Sequence, residues 1–258
     1  MNQIFNENCL EGMKRIPDGA VDMVLCDLPY GTTASPWDNT LNPKLLWEQY
    51  LRVCKQNAPI LLFANNLFLN ELLRTAPTGL FRYKWVWIKN NITNFLQAKR
   101  RPMVQHEDIL VFSRGASANG AKNNITYNPQ GVKALGEKRR YHKRKTGTVI
   151  RKMKDHENSL NGWQEFTGYP SDVLFFDNVA SQMKMHTNQK PVALLEYLIR
   201  TYTNPDELVL DNCIGSGSTA VAAIQCGRKF VGFETNEKYF KIAKDRIENQ
   251  RLSLFNGD

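Results

Sequence analysis

Short runs of apolar residues alternate with longer stretches in which apolar positions recur every three or four residues. The first kind is typical of buried strands, and the second of the helices that cover them. Strands are predicted over residues 21–26, 58–64, 81–88, 108–112, 208–211 and 229–233, and helices over residues 45–54, 67–75, 191–202, 218–226 and 237–252. Because strands and helices alternate, we expect an α/β fold with a mostly parallel sheet and helices on both faces.

The composition is that of an ordinary globular protein. The chain has 258 residues, of which 42% are hydrophobic and 23% charged, which argues against a disordered or fibrous chain. No apolar run approaches the ~18 residues that cross a bilayer, and residues 1–7 lack the features of a secretory signal. The five cysteines are widely spread and form no C-x-x-C pair. We therefore expect a cytoplasmic protein with no disulfide framework, no metal site and no membrane contact.

Positive charge is concentrated in one segment. The net charge is +9, and ten basic residues lie between Lys133 and Lys154, opposed only by Glu137. Residues 115–173 show no sustained period, so we expect an irregular, solvent-facing insertion there. Because the basic run is internal, it favours a phosphate-binding surface and a polyanionic partner, bound in a salt-dependent way. A merely solvated charge run is the alternative.

A glycine-rich turn follows the predicted strand at 208–211. Gly215 and Gly217 allow a ligand to approach the backbone closely, and Glu234 ends the next strand, 23 residues after Asp211. A spacing of about 20 residues is typical of a carboxylate that accepts hydrogen bonds from ribose hydroxyls. The third glycine of the dinucleotide pattern is missing, so plain turn glycines are the alternative. With the strand, helix and acidic residue together, the unit favours a nucleoside ligand.

The turn Asp27-Leu28-Pro29-Tyr30 ends the predicted strand at 21–26. Open α/β sheets bind ligands at this edge. A carboxylate, a backbone carbonyl and an aromatic ring suit an exocyclic amine on a planar base, with the ring stacked on Tyr30. A plain turn with a packed tyrosine is the alternative.

Several segments together resemble the permuted, β-type S-adenosylmethionine-dependent DNA amino-methyltransferases over nearly the whole chain. Asp27-Leu28-Pro29-Tyr30 resembles their D-P-P-Y motif, the segment from His186 to Pro191 resembles H-P-T-Q-K-P, and the segment from Asp211 to Thr219 resembles D-P-F-x-G-S-G-T-T. The order of the motifs is that of the β arrangement. Leu28 replaces a proline, and Asn212 and Cys213 replace proline and phenylalanine.

The resemblance implies a permuted Rossmann-like methyltransferase fold with an inserted basic target-recognition region. It places a catalytic part at 1–114, the DNA-binding insertion at 115–173 and a cofactor-binding part at 174–258. Implied catalytic residues are Asp27, Leu28, Pro29 and Tyr30. Implied cofactor-binding residues are Asn8, Cys9, Asp27, His186, Thr187, Gln189, Lys190, Asp211, Cys213, Gly215, Ser216, Gly217, Ser218, Thr219 and Glu234. Expected phosphate contacts are Lys138, Arg139, Arg140, Lys143, Arg144 and Lys145.

The implied activity is methyl transfer from S-adenosylmethionine to the N6 amine of a flipped-out adenine in double-stranded DNA, leaving S-adenosylhomocysteine and using no metal. The Asp-first tetrapeptide resembles adenine-N6 enzymes more than cytosine-N4 ones. Cytosine N4, structured RNA, a protein amide and a catalytically weak DNA-binding subunit are the alternatives. A homodimer, a cognate restriction endonuclease in a restriction-modification system, and a bacterial or phage origin with nucleoid association are left open.

Overall fold

The computed structural model describes residues 2–29, 41–140, 163–179 and 189–256. Within them the strands are β1 (Asn2–Phe5), β2 (Met23–Cys26), β3 (Ile60–Ala64), β4 (Phe81–Thr93), β5 (Val104–Phe112), β6 (Lys133–Arg140), β7 (Trp163–Thr167), β8 (Val173–Phe175), β9 (Leu208–Asp211) and β10 (Lys229–Phe233). The helices are α1 (Cys9–Met13), α2 (Pro43–Val53), α3 (Asn66–Thr75), α4 (Val192–Tyr202), α5 (Ser218–Gln225) and α6 (Glu237–Asn256), with a 3₁₀ turn at Phe95–Gln97.

Eight strands form one sheet in the order β1-β10-β9-β2-β3-β5-β4-β8. Neighbours pair in parallel, except that β5 runs antiparallel to both β3 and β4. The strand order is not the chain order, because β9 and β10 from the C-terminal part lie between β1 and β2. The predicted α/β fold with a mostly parallel sheet is confirmed.

Two apolar clusters cover the two faces of this sheet. Val24 and Cys26 of β2 point into the cluster that holds α1, α2 and α3. Met23 and Leu25, one residue out of phase, point into the cluster that holds α4, α5 and α6. Since side chains alternate across a strand, β2 must be apolar at every position, and its sequence is the continuous run MVLC. The expectation of helices on both faces is confirmed.

The chain divides into two compact units: residues 1–128 with 172–258, which contain the eight-stranded sheet, and residues 129–171. In the unit of residues 129–171, β6 pairs antiparallel with β7, with Lys133 opposite Thr167 and Arg140 opposite Trp163. The expectation of irregular structure is therefore wrong for residues 133–140 and 163–167, where the backbone forms strands. In residues 133–140 the charged residues obscure any alternation. The predicted boundaries at 115 and 173 stay a prediction.

Other differences concern short elements. The strands β1 and β8 and the helix α1 were not predicted, since three to five residues carry too little periodicity. Pro191 is the N-cap of α4 and not part of its first turn. In the part of the chain that the structure describes, no helix has the length and apolarity that a membrane span requires.

Candidate active site

The carboxyl ends of β2, β9 and β10 lie side by side at one edge of the sheet. Val24 pairs with Leu210, and Gly232 pairs with Asp211. Asp27 follows β2, Asp211 ends β9, and Glu234 follows β10, so the fold brings to one edge three carboxylates that are far apart in the sequence. This is the edge at which open α/β sheets bind ligands.

A buried ion network holds Asp27. The Lys190 ammonium lies 2.8 Å from Asp27 Oδ2 and 3.0 Å from Glu107 Oε1. A second lysine, Lys89, lies 2.7 Å from Glu107 Oε2. The side chains of Lys190 and Glu107 are 11% and 4% exposed, whereas that of Asp27 is 26% exposed. Asp27 thus combines a buried anchor with a face that is open to a ligand.

The charges of this network compensate one another. Burial by itself would lower the pKa of Lys190, but attraction to Asp27 and Glu107 outweighs burial and raises the pKa well above its ordinary value. The same ammonium lies 4.8 Å from the centre of the Phe63 ring, a cation–π contact that adds to its fixation. Lys190 is therefore a cation throughout the neutral pH range.

The tetrapeptide after β2 is only partly described. Leu28 is buried, with its side chain in the cluster beneath α1–α3, which leaves its backbone as its polar contribution. Pro29 is partly exposed. Tyr30 lies outside the described residues, and its expected stacking role stays a prediction.

The glycine-rich turn is closed by the two carboxylates on either side of it. The Cys213 amide donates to Asp211 Oδ1 at 3.1 Å, and the Gly215 amide donates to Glu234 Oε2 at 3.0 Å. The other oxygen of Glu234 accepts from the Asn236 amide at 2.7 Å. Because a carboxylate oxygen has two lone pairs, Glu234 retains acceptor capacity for a ligand hydroxyl while it orders the turn.

Glycine is required at both ends of this turn. Gly215 has φ +52° and Gly217 has φ +84°, backbone conformations that L side chains rarely adopt. A Cβ at Gly217 would stand 3.0 Å from Ala243 Cβ on α6, whereas one at Gly215 would meet nothing within 4 Å. The turn is therefore pressed against α6 on one side and open beside Gly215, as a bound nucleoside requires.

Three hydroxyl residues of the turn and of α5 have protein partners. Arg246 on α6 donates to Ser216 Oγ at 3.2 Å and to Ser218 Oγ at 3.1 Å. Thr219 hydrogen-bonds Asp211. These contacts fasten the turn to α5 and α6, and the expected cofactor contacts of the three residues stay predictions.

The two carboxylates beside the turn respond to burial in the same way. Burial raises the pKa of Asp211 to about 6, although hydrogen bonds from Thr219 and Cys213 act in the opposite direction. Burial also raises the pKa of Glu234, again opposed by backbone amides. Both sites therefore favour a hydrogen-bond donor, neutral or positively charged, that replaces the hydration of the carboxylate.

A cluster of polar side chains and thiols surrounds Asn212, at the start of the glycine-rich turn. The Tyr50 hydroxyl donates to Asn212 Oδ1 at 2.6 Å, and Asn212 Nδ2 lies 3.7 Å from Cys9 Sγ and 3.5 Å from Cys213 Sγ. A hydrogen bond with Cys213 and burial raise the pKa of Cys9 far above its ordinary value. Asn212 and Cys213, which replace the proline and phenylalanine of the resembled motif, thus belong to a packed cluster of neutral polar side chains.

The remaining predicted site residues divide into two groups. Asn8 is the N-cap of α1 and accepts from the Leu10 amide at 2.9 Å, and Gln189 lies directly before Lys190 and is partly exposed. The residues outside the described part are Tyr30, Lys143, Arg144, Lys145, His186 and Thr187, and of Lys138, Arg139 and Arg140 only the backbone is described.

Two members of the Asp27 network were not among the predicted site residues. Glu107 and Lys89 stand on β5 and β4, and the sequence alone does not show that these strands lie near β2. The available signal is the acidic pair Glu107-Asp108 directly before the apolar run that ends at Phe112, since a buried carboxylate needs a cation nearby. The resemblance implies that Lys190 lines the cofactor pocket, and its described ion pairs are with Asp27 and Glu107.

Comparison with known proteins gives a consistent family. Residues 21–245 match the family model described as DNA methylase. A curated relative, the DNA adenine methyltransferase YhdJ of Escherichia coli (strain K12), is 27% identical over 260 residues, which cover 95% of this chain and 82% of the relative.

Solved structures share the fold. The M1.HpyAVI–SAM complex has a TM-score of 0.62 and 23% identity, covering 96% of this chain and 99% of that one. The PvuII DNA methyltransferase (cytosine-N4-specific) has a TM-score of 0.64 and 16% identity, covering 100% of this chain and 93% of that one. At these identities the two neighbours show a common fold: the first was solved with SAM, and the second is specific for cytosine N4.

Proposed function

This chain belongs to the DNA methylase family, and from that premise we propose that it methylates the N6 amine of adenine in double-stranded DNA, with S-adenosylmethionine as methyl donor. The tetrapeptide that starts with Asp27 and the adenine-directed relative YhdJ favour adenine. The family also contains cytosine-N4 enzymes, and a neighbour of that specificity shares the fold. Cytosine N4 is therefore the competing assignment.

The observation that carries the proposal is the partly exposed Asp27 carboxylate, anchored by Lys190 at the edge that also holds the glycine-rich turn. An exocyclic amine is a poor nucleophile, because its lone pair is delocalised into the ring. The Asp27 carboxylate and the Leu28 carbonyl accept hydrogen bonds from the two N–H groups of the amine. These bonds favour a pyramidal nitrogen, whose lone pair is available to attack the methyl group. The carboxylate also offsets the positive charge that develops on nitrogen, which is electrostatic preorganisation.

The cofactor supplies an electrophilic methyl group when it is bound. Its site is assigned to the glycine-rich turn with Asp211 and Glu234, where Glu234 accepts from ribose hydroxyls. The fit rests on the open space beside Gly215 and on the remaining acceptor capacity of Glu234. The neighbour M1.HpyAVI, solved as a complex with SAM, supports this cofactor.

DNA contact outside the catalytic edge is assigned to the basic segment. The residues proposed to bind phosphate are Lys138, Arg139, Arg140, Lys143, Arg144 and Lys145, in the insertion of the predicted three-part organisation. Tyr30 is proposed to stack on the extruded base, which offsets part of the cost of removing it from the duplex.

Incubation with methyl-labelled S-adenosylmethionine and unmethylated duplex DNA, followed by digestion to nucleosides and mass analysis, tests the proposal. N6-methyldeoxyadenosine is the expected product. Formation of N4-methyldeoxycytidine would agree with the family but show that the target base is cytosine and not adenine. If RNA of the same sequence, offered in parallel, is labelled instead, the assignment of duplex DNA as the substrate is wrong. DNA binding without label in any nucleoside would overturn the proposed activity in favour of a DNA-binding subunit.

A further inference from the structure

The hairpin of β4 and β5 extends beyond the edge that carries Asp27. Ala64, the last residue of β3, pairs with Asp108, and further out Thr93 pairs with Val104. At about 3.3 Å per residue, Val104 lies roughly 10 Å beyond Glu107 along β5. Since Glu107 shares Lys190 with Asp27, the connection between the two strands projects outward from the candidate active site.

This connection, residues 94–103, is here named the hairpin tip, and its backbone is internally bonded. Asn94 takes a left-handed conformation with φ 70° and opens the 3₁₀ turn Phe95–Gln97. The Gln97 amide donates to the Asn94 carbonyl at 3.0 Å, and the Arg100 amide donates to the Gln97 carbonyl at 2.8 Å. The hairpin tip therefore presents its side chains from a folded turn.

Large apolar side chains of the hairpin tip face solvent. Phe95 is 79% exposed and Leu96 is 98% exposed, and Met103 is 40% exposed. Burying a side chain of this size would be favourable, because it removes apolar surface from water. Two adjacent apolar side chains held in water by an ordered turn mark an interaction surface.

The charge beside these side chains indicates what the surface binds. From Asn90 to His106 the sequence contains Lys99, Arg100 and Arg101 and no acidic residue. Duplex DNA combines the two complementary features, anionic phosphates outside and apolar stacked bases inside. Proteins that kink DNA frequently insert apolar side chains between base steps.

We propose that the hairpin tip is a DNA wedge, in which Phe95 and Leu96 enter the base stack where the target nucleotide leaves it, while Lys99, Arg100 and Arg101 contact the flanking phosphates. This role rests on the proposed function, because it assumes a duplex substrate. It separates two tasks at one edge of the sheet: the hairpin tip fills the gap, and Asp27 receives the extruded base.

An affinity ratio tests the wedge without any methylation readout. Fluorescence anisotropy compares binding to a short intact duplex and to the same duplex with one abasic site. A wedge fills the abasic gap, and stacking energies imply that the wild-type protein prefers the abasic duplex by about tenfold. In the variant Phe95→Ala/Leu96→Ala the ratio falls to about 1, with unchanged thermal stability, because both side chains are exposed.

Leu252→Ala is the matched control, since Leu252 is 54% exposed and lies on α6, about 22 Å from the start of that helix. This variant keeps the wild-type ratio. An abasic preference that survives Phe95→Ala/Leu96→Ala, or a wild-type protein without preference, would overturn the wedge. If Phe95→Ala/Leu96→Ala changes the molecular mass in solution and leaves DNA binding unaltered, the surface binds a second copy of the chain. That result would also overturn the wedge.

The same measurement separates the wedge from the methylation proposal. A protein that labels no nucleoside but loses its abasic preference in Phe95→Ala/Leu96→Ala retains the wedge and loses the proposed activity. A protein that methylates duplex DNA with no abasic preference retains the activity and loses the wedge.

Salt dependence tests the phosphate contacts of the hairpin tip. Replacing Lys99, Arg100 and Arg101 by glutamine should reduce the slope of log affinity against log salt by about 0.9 for each phosphate that the variant no longer neutralises. The Phe95→Ala/Leu96→Ala variant should keep the wild-type slope, because it retains all three cations. An unaltered slope in the glutamine variant would overturn the phosphate contacts.

Discussion

The two halves of the candidate active site hold their carboxylates by different means. At the Asp27 end a buried lysine, Lys190, pairs with the carboxylate and with Glu107. At the glycine-rich end Asp211 and Glu234 are held by backbone amides of the turn and by the hydroxyl of Thr219. The first end is organised by full charges and the second by dipoles.

This difference matches the chemistry proposed for each end. Asp27 must stay charged to offset positive charge on an amine, and a fixed cation compensates its burial before the substrate binds. Asp211 and Glu234 must hold a neutral sugar and an ordered backbone, for which amide donors suffice. Fixed ion pairs therefore mark the reacting end, and backbone hydrogen bonds mark the binding end.

The largest expected effect is on the rate when the charge at the reacting end is removed. Asp27→Ala should lower the rate constant of methyl transfer about 100-fold to 1000-fold, in the range of losses of one preorganised electrostatic contact. Single-turnover methylation of duplex DNA measures the loss. Cofactor binding, followed by calorimetry, should weaken far less than the rate, because Asp27 is one of many implied cofactor contacts and the turn with Asp211 and Glu234 is intact. A rate within tenfold of the wild type would remove the catalytic role of Asp27.

Breaking the ion network should cost stability where a similar pair at the surface costs little. Lys190→Met leaves Asp27 and Glu107 without their shared cation, and the free energy of unfolding should fall by about 3 kcal/mol. Lys14→Met is the control, because Lys14 pairs with Glu11 at 2.7 Å and both side chains are more than half exposed, and its loss should stay below about 1 kcal/mol. Urea unfolding measures both.

A second variant keeps this comparison informative. In Lys190→Met/Glu107→Leu the buried carboxylate of Glu107 is removed together with its cation, so part of the lost stability should return. Equal losses for Lys190→Met and Lys14→Met, or no recovery in the double variant, would show that the network is not a buried charged unit.

The contribution of Asp211 to stability should fall as pH rises, whereas that of an ion-paired carboxylate would increase. Burial raises the pKa of Asp211 from 3.8 to about 6, so between these values the native state binds a proton that the unfolded chain has released. Its stabilising contribution is therefore complete below pH 3.8 and is lost as pH rises to about 6. Raising this pKa from 3.8 to about 6 corresponds to a stabilising contribution of about 3 kcal/mol at low pH.

Urea unfolding of the wild type and Asp211→Asn between pH 4 and pH 8 isolates this contribution, since all other titrating groups are shared. The wild type should lose stability relative to the variant up to about pH 6, with a constant difference above. A difference that grows in favour of the wild type as pH rises would reverse the sign and indicate an unrecognised cation near Asp211.

The smallest expected effect concerns the hydrogen bond between Tyr50 and Asn212, beside the glycine-rich turn. Tyr50→Phe removes the donor to Asn212 Oδ1 at 2.6 Å in a fully buried environment, and the unfolding free energy should fall by about 1 kcal/mol. The control is Tyr50→Phe in an Asn212→Ala background, where the bond is already absent and the further loss should be smaller. Equal losses in the two backgrounds would show that the bond contributes nothing.

Prediction from sequence succeeded where a structural unit is contiguous in the chain. The strand at 208–211, the glycine-rich turn, the helix from Ser218 and the strand that ends at Phe233 were all predicted, because periodicity and turn chemistry act over a few residues. Short elements such as β1 were missed for the converse reason. In the basic segment charged residues remove the alternation of a strand, so the sequence predicts irregular structure where β6 forms.

The sequence by itself determined the class of fold and the family, and it supplies the roles proposed for both ends of the site, because apolar periodicity, glycine positions and the motif at Asp27 are local properties. Only the tertiary structure decided which cation compensates Asp27, since Glu107 and Lys190 meet it through the pairing of β2, β3 and β5. It also decided that Phe95 and Leu96 face solvent at the catalytic edge. Burial and charge compensation depend on all elements packed around a residue, and strand order is not encoded in any one segment.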